Sequence, residues 1–179
     1  ELYLDSIVEG VERATTIVSG LNEISAVSES YDESCELNQV VEHCLTVVNK
    51  QLNGIEVVRK MAEEGVVVKG NVGQLHQVVL NVLLNAVQSM EPPGTITIAT
   101  HAEQGRVVVT ISDTGCGIGK KDIGKVTDPF YTTKSPGEGI GIGLTIAYNI
   151  IQAHKGTLGF RSAEGKGTTV EIILPVKTE

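Results

Sequence analysis

The chain has 179 residues, of which 41% are hydrophobic and 20% charged, with a formal net charge of -8. That length can bury one good core, and the acidic balance lacks the basic footprint that nucleic-acid binding requires, so no nucleic-acid partner is expected. No apolar run is long enough to span a bilayer, the best, around Val78 to Val87, being broken by Asn81 and Asn85.

Along Glu1 to about Ser28, Leu4, Ile7, Val11, Ala14, Val18 and Leu21 recur at spacings of three and four. This is a heptad seam, and it predicts one long helix that packs on a partner helix or, failing that, on the following domain. Ser28 to Asn38 is polar and acidic and reads as a linker. A helix is expected over Asn38 to Leu52, short strands over "IEVVRKM" and "GVVVKG", and a strong helix over Gly73 to Met90, stopped by "EPPG". "TITIAT" and "RVVVTIS" are the next strands. Lys120 to Glu138 has little periodicity and reads as a functional lid. A further helix starts near Gly141 and ends at "HKG", followed by the strands "TLGFRS" and "TTVEIILP". Strands and helices joined by short turns predict an α+β fold: a two-layer sandwich whose mixed, mostly antiparallel sheet carries helices on one face. The expected domains are 1–30, the long helix, and 31–179.

Cys35, Cys44 and Cys116 include no C-x-x-C and suit a reducing compartment. Cys35 and Cys44 read as core filler, and Cys116, among glycines, is open to being a reactive thiol. No signal-peptide layout opens the sequence, so a cytoplasmic location is expected, and membrane anchoring of the parent protein stays open.

Three segments carry chemistry. In "QLHQVVLNVLLNAVQSM", Gln77, Asn81, Asn85 and Gln88 align as one polar stripe bordered by Leu and Val. The stripe either faces solvent or lines a wet cavity, where amide oxygens can ligate a hard cation such as Mg2+. In "RVVVTISDTGCGIG", Val107, Val109, Ile111 and Asp113 point to one side of a strand. Asp113 either caps a turn or meets a ligand at the core edge, and Gly115, Gly117 and Gly119 let backbone approach something closely. In "GEGIGIGLTIAYNII", a glycine-rich entry exposes N–H groups at a helix start, a seat for phosphate. It is neither a Rossmann fingerprint nor a P-loop.

In this order, an Asn helix, "DTGCGIG", "DPFYTTK", "GIGIG" and a late "GKGT" resemble the catalytic ATP-binding domain of two-component sensor histidine kinases. That domain has the Bergerat-type fold shared with DNA gyrase, MutL and the heat-shock chaperone ATPases. The likeness covers about Glu36 to Pro175. "NVLLNAVQSM" and "DPFYTTK" look most like the nitrogen-regulation type, and the first helix resembles the second helix of that family's dimerisation hairpin.

The resemblance implies ATP and Mg2+ as ligands and the following roles. Asp113 accepts from the adenine amino group, with Gly115, Gly117 and Ile118 beside it and Thr168 behind. Asn85 holds Mg2+, with Asn81 nearby and Gln88 close to the phosphates. Phe130, Thr132 and Thr133 belong to the lid, and Lys134 reaches the terminal phosphate. Gly139, Gly141, Gly143 and Leu144 supply the hinge and the phosphate donors. Family members that hydrolyse ATP carry Glu where this chain has Asn81, an amide that is no base. Phosphoryl transfer to a histidine, for relay to a response-regulator receiver domain, is therefore expected over hydrolysis.

The family's acceptor box is a His followed by an acid and a Pro. His43 is followed by Cys, His76 by Gln, His101 by Ala and His154 by Lys. The expectation is a piece without its acceptor helix that does not phosphorylate itself, from a protein that is homodimeric at full length. His76 reads as a surface residue and His154 as a helix-end cation favoured by the dipole. An ATP-hydrolysing clamp of the same fold and a non-catalytic nucleotide-binding module are the alternatives.

Overall fold

A computed structural model describes residues 31–64, 66–134 and 139–176. The expected long helix of residues 1–30 lies outside the described residues.

Glu33–Glu36 is a strand, β1, where the sequence reads as a linker. It is short and polar, with Cys35 as its one buried side chain, so alternation gives almost no signal. It pairs antiparallel with β3, Val67–Gly70. Glu36 then caps α1, Leu37–Val47, its carboxylate accepting from Asn38 N at 3.0 Å and Gln39 N at 2.7 Å. Leu37, Val40, Val41, Cys44 and Leu45 form the buried stripe of α1, and burial pushes the Cys44 thiol up to about 11, so both Cys35 and Cys44 are core residues. The helix stops at Val47, short of the expected Leu52, and Asn49–Leu52 is a separate 3-10 turn.

The main sheet has five strands: β2 (Ile55–Lys60), β4 (Gly94–Glu103), β5 (Arg106–Asp113), β7 (Thr168–Pro175) and β6 (Thr157–Ser162), in that order. β2 runs parallel to β4, and the other pairs are antiparallel. The β4–β5 hairpin turns at Gln104 (φ 48) and Gly105 (φ 75), two left-handed residues that match the twist of the strands. On β7, Thr168, Val170, Ile172 and Leu174 are buried while Thr169, Glu171 and Ile173 between them are half-exposed, so one face of the sheet is covered.

The covering layer is α1, α2 (Val72–Gln88) and α3 (Gly143–Ala153). Asn71 caps α2 through its Oδ1, 2.8 Å from Gln74 N. Leu75, Val78, Val79, Val82, Leu83 and Ala86 bury the inner face of α2, and Met90 follows beyond its end. α3 buries Ile146, Ala147, Ile150 and Ile151. The α+β sandwich expected from the sequence is the architecture present.

His154, expected as a charged helix-end residue, is instead buried and neutral. Its Nε2 accepts from Asn71 N at 3.0 Å, and its Nδ1 donates to Ile150 O at 2.8 Å. An imidazole that accepts at one nitrogen carries a single proton. Burial lowers its pKa below the ordinary 6.5. The residue joins the end of α3 to the start of α2, and Gly70 is adjacent because a Cβ there would lie 2.5 Å from the ring.

Candidate nucleotide-binding cleft

Between α2, the end of β5 and the start of α3 lies a cleft of about 260 Å3. Ten of the residues singled out in the sequence line it: Asn85, Gln88, Asp113, Gly117, Ile118, Thr132, Thr133, Lys134, Leu144 and Thr168. Val82, Ile111, Phe160 and Val170 give it apolar walls.

Asp113 ends β5 at the cleft wall, the residue as a whole 9% exposed. Its Oδ1 accepts from Gly115 N at 2.8 Å, Thr168 N at 3.1 Å and Ser89 Oγ at 3.2 Å. The two backbone N–H groups hold the carboxylate and offset its burial, while the Ser89 hydroxyl shares its one proton with Ala86 O, 2.8 Å away. Among the described residues none donates to Oδ2. Thr168 therefore supports the acid through its backbone N–H, while its hydroxyl meets Ser162 Oγ at 2.9 Å.

Ser89 was not singled out in the sequence. It stands one turn beyond Asn85, so extending the amide stripe by four positions would have found it. Tyr131, Cys116 and Val126 also line the cleft without having been assigned to it. Tyr131 OH donates to Asp122 Oδ1 at 2.7 Å, which tethers the segment that carries Thr132 to Lys134. That hydrogen bond raises the phenol pKa.

Gly115 and Gly117 of "DTGCGIG" serve chain packing. A Cβ on Gly115 would lie 2.1 Å from Ser89 Oγ, and one on Gly117 (φ +70) would lie 2.1 Å from the carbonyl oxygen of Ala163. The loop is thus clamped between the end of α2 and the β6–β7 turn. Cys116 N donates to Ser89 O at 2.9 Å, and Gly165 N to Cys116 O at 2.7 Å. The room that these glycines leave is filled by protein, and Asp113 is held in place by it.

On the other wall, the Asn85 side chain makes no hydrogen bond to any described residue, although it lines the cleft and is half-buried. Lys134 Nζ donates to Gln88 Oε1 across the rim. Among the described residues no three His, Cys, Asp or Glu side chains converge on a metal position. The donor set suits a hard cation that takes one amide oxygen and fills its other positions with water and ligand oxygens.

At α3, Ile142 provides no side-chain cap. The N–H groups of Gly143, Leu144 and Thr145 open the helix without partners among the described residues, and Thr145 Oγ1 is buried and unpaired. Leu144 lines the cleft, so the positive end of α3 borders it.

The structure keeps six candidates off the cleft wall. Asn81 Nδ2 donates to Gly143 O at 3.0 Å, tying α2 to the first turn of α3. Gly115 contributes its N–H to Asp113. Phe130 is 57% exposed, with φ 65, and its N–H donates to Gly141 O at 3.0 Å. Gly141 (φ +72) lies where a Cβ would be 2.5 Å from Tyr131 O. Gly139 stands beside Lys134, and Gly143 is the first residue of α3.

The chain is 33% identical over 168 residues to the sensor histidine kinase ZraS of Salmonella typhi, covering 92% of this chain and 36% of that protein. Sporulation kinase A of Bacillus subtilis is 32% identical over 180 residues, 99% of this chain and 29% of the relative. The chain therefore spans about a third of the length of these relatives. The structure of a mycobacterial sensor histidine kinase, MprB, superposes with a TM-score of 0.74 at 27% identity, covering 83% of this chain and 99% of that one. Residues 70–178, which include the whole Asn helix, the Asp113 loop and the α3 entry, match the histidine kinase-, DNA gyrase B- and HSP90-like ATPases, and the chain belongs to that family.

Proposed function

We propose that this chain binds Mg-ATP in the cleft and delivers the terminal phosphoryl group to a histidine on a dimerisation hairpin, for relay to a response-regulator receiver domain. One observation carries the reading: a carboxylate whose Oδ1 is held by two backbone N–H groups and by a Ser89 hydroxyl shared with Ala86 O, while Oδ2 has no donor among the described residues, at the wall of a cleft with apolar sides. Such an oxygen suits the exocyclic amino group of adenine. Guanine presents a carbonyl there, acceptor against acceptor. A hydrogen bond to a charged group of this kind contributes about 1.5–3 kcal/mol.

The remaining parts follow from charge. The uncapped start of α3 and the Lys134 ammonium suit the phosphates, and the Asn85 amide, without a partner among the described residues, supplies one oxygen for Mg2+. The metal would neutralise phosphate charge during transfer. Asn81 is not a base, and its amide is already engaged with Gly143, which favours transfer over hydrolysis. Within the sensor kinases, "NVLLNAVQSM" and "DPFYTTK" favour the nitrogen-regulation type.

The test is transfer in trans. The chain is incubated with γ-labelled ATP, Mg2+ and a separate hairpin protein containing the acceptor histidine. Acid-labile, base-stable label on the hairpin, with none on this chain, is expected. Tight nucleotide binding with no label on any acceptor would overturn the kinase reading in favour of a regulatory module.

A further inference from the structure

On the side of α2 turned from the cleft, α1 and α2 each present one imidazole to the other. His43 Nδ1 lies 3.2 Å from His76 Nε2, with ring centroids 5.0 Å apart and planes at 86°. His43 is exposed and His76 half-buried, so water and ions reach the pair. His76 Nδ1 lies 2.8 Å from Val72 O. A carbonyl only accepts, so the His76 proton is on Nδ1 and its Nε2 carries the lone pair. His43 Nδ1 is then the donor between the rings.

We propose that His43 and His76 form a two-nitrogen chelate for a divalent transition metal of the Zn2+, Ni2+ or Cu2+ class. Metal–nitrogen bonds of about 2.0–2.1 Å at angles from about 90° to 109° separate two ligand nitrogens by roughly 2.9–3.4 Å. The observed 3.2 Å falls inside that window, so the two helices already stand at chelating distance. The hydrogen bond from His76 Nδ1 to Val72 O is the support that a metal-bound histidine needs at its other nitrogen. On binding, the His43 proton leaves Nδ1 and Nε2 takes one from solvent, which frees the second lone pair without net proton release.

Among the described residues no cluster of three His, Cys, Asp or Glu forms, so water completes the coordination. Cys44 Sγ, 3.4 Å from the His76 carbonyl oxygen, is engaged as a donor to it and is not a ligand. Imidazole pairs select these ions over Mg2+ and Ca2+, which require oxygen. His76 precedes Asn85 by nine residues, which places the two about half a turn apart around α2. The ion therefore fastens α1 to the helix that carries Asn85 without entering the cleft, and the proposal is independent of the nucleotide reading.

The test is titration of the full chain with ZnCl2 and NiCl2, read by calorimetry and by melting temperature. One ion per chain is expected, with a melting temperature that rises with metal concentration. His43→Ala and His76→Ala should each weaken binding by more than about tenfold. His101→Ala, which removes an exposed imidazole beside Glu103, should leave it unchanged. Paramagnetic broadening by Cu2+ should centre on the amides around residues 43 and 76, a readout that needs no variant. Absence of saturable binding, binding that survives both histidine substitutions, or broadening centred elsewhere would overturn the proposal.

Discussion

Replacing Gly117 with alanine tests whether the glycine loop is a clamp that sets Asp113. Gly117 has φ +70, and a Cβ there would lie 2.1 Å from the Ala163 carbonyl oxygen and 2.8 Å from its carbon. The left-handed backbone costs an alanine about 1–2 kcal/mol. Relieving the overlap requires a backbone shift on the order of 1 Å, because neither partner is a side chain that can rotate; such overpacking costs about 1–3 kcal/mol. The sum, about 2–5 kcal/mol, lowers the melting temperature by about 4–20 °C at this chain length. Gly105→Ala is the internal control. Its φ is +75, but a Cβ meets nothing within 4 Å, so only the backbone cost applies, about 1–2 kcal/mol. Thermal unfolding by circular dichroism measures both, and ATP titration of the two variants reads the cleft. The Gly117 variant should be the less stable and should bind ATP more weakly, since Ile118 N and Gly165 N lose their partners as the loop moves. Equal melting temperatures together with unchanged ATP affinity would refute the clamp.

Asn85→Ala should reduce the gain in ATP affinity that Mg2+ confers by at least about tenfold while leaving metal-free nucleotide binding unchanged, as measured by calorimetry with and without chelator. Asn81→Ala removes the hydrogen bond to Gly143 O and should cost about 0.5–1.5 kcal/mol in thermal unfolding. ATP turnover should be negligible both before and after that substitution; robust turnover lost on substitution would favour the hydrolysing clamp. His154 gives stability a defined acid limb. Its folded pKa is lowered, so the unfolded chain takes up the proton first, and the stability present above pH 6.5 is lost as pH falls from there toward the folded pKa. His154→Gln, which keeps an acceptor for Asn71 N, should flatten that limb between pH 7 and 5. A limb of unchanged slope would contradict the neutral, buried assignment.

The local patterns that were legible in the sequence are those whose partners lie on the same element. The apolar stripe of α2 and the alternation of Val107, Val109 and Ile111 ending in Asp113 are of this kind, and both appear as read. What the sequence hid depends on contacts made far along the chain. His154 sits near a helix end, where a cation is favoured, but the group that determines its state is Asn71 N, 83 residues away. The glycines after Asp113 read as space for a ligand, yet the atoms that fill the space at Gly115 and Gly117 belong to Ser89 and Ala163. β1 escaped because one buried cysteine among polar residues makes no period. Asn81 shares the amide stripe with Asn85, and only the position of α3 shows that one amide is spent on Gly143 while the other has no partner among the described residues.

Calorimetric titration of the chain and of Asp113→Asn with ATP and with GTP, in the presence of Mg2+, bears most directly on the use of the cleft. The native chain should bind ATP and discriminate against GTP, and the substitution should weaken ATP by roughly 10- to 150-fold, the equivalent of about 1.5–3 kcal/mol. Equal affinity for the two nucleotides, or ATP binding untouched by the loss of the carboxylate, would contradict adenine recognition at Asp113.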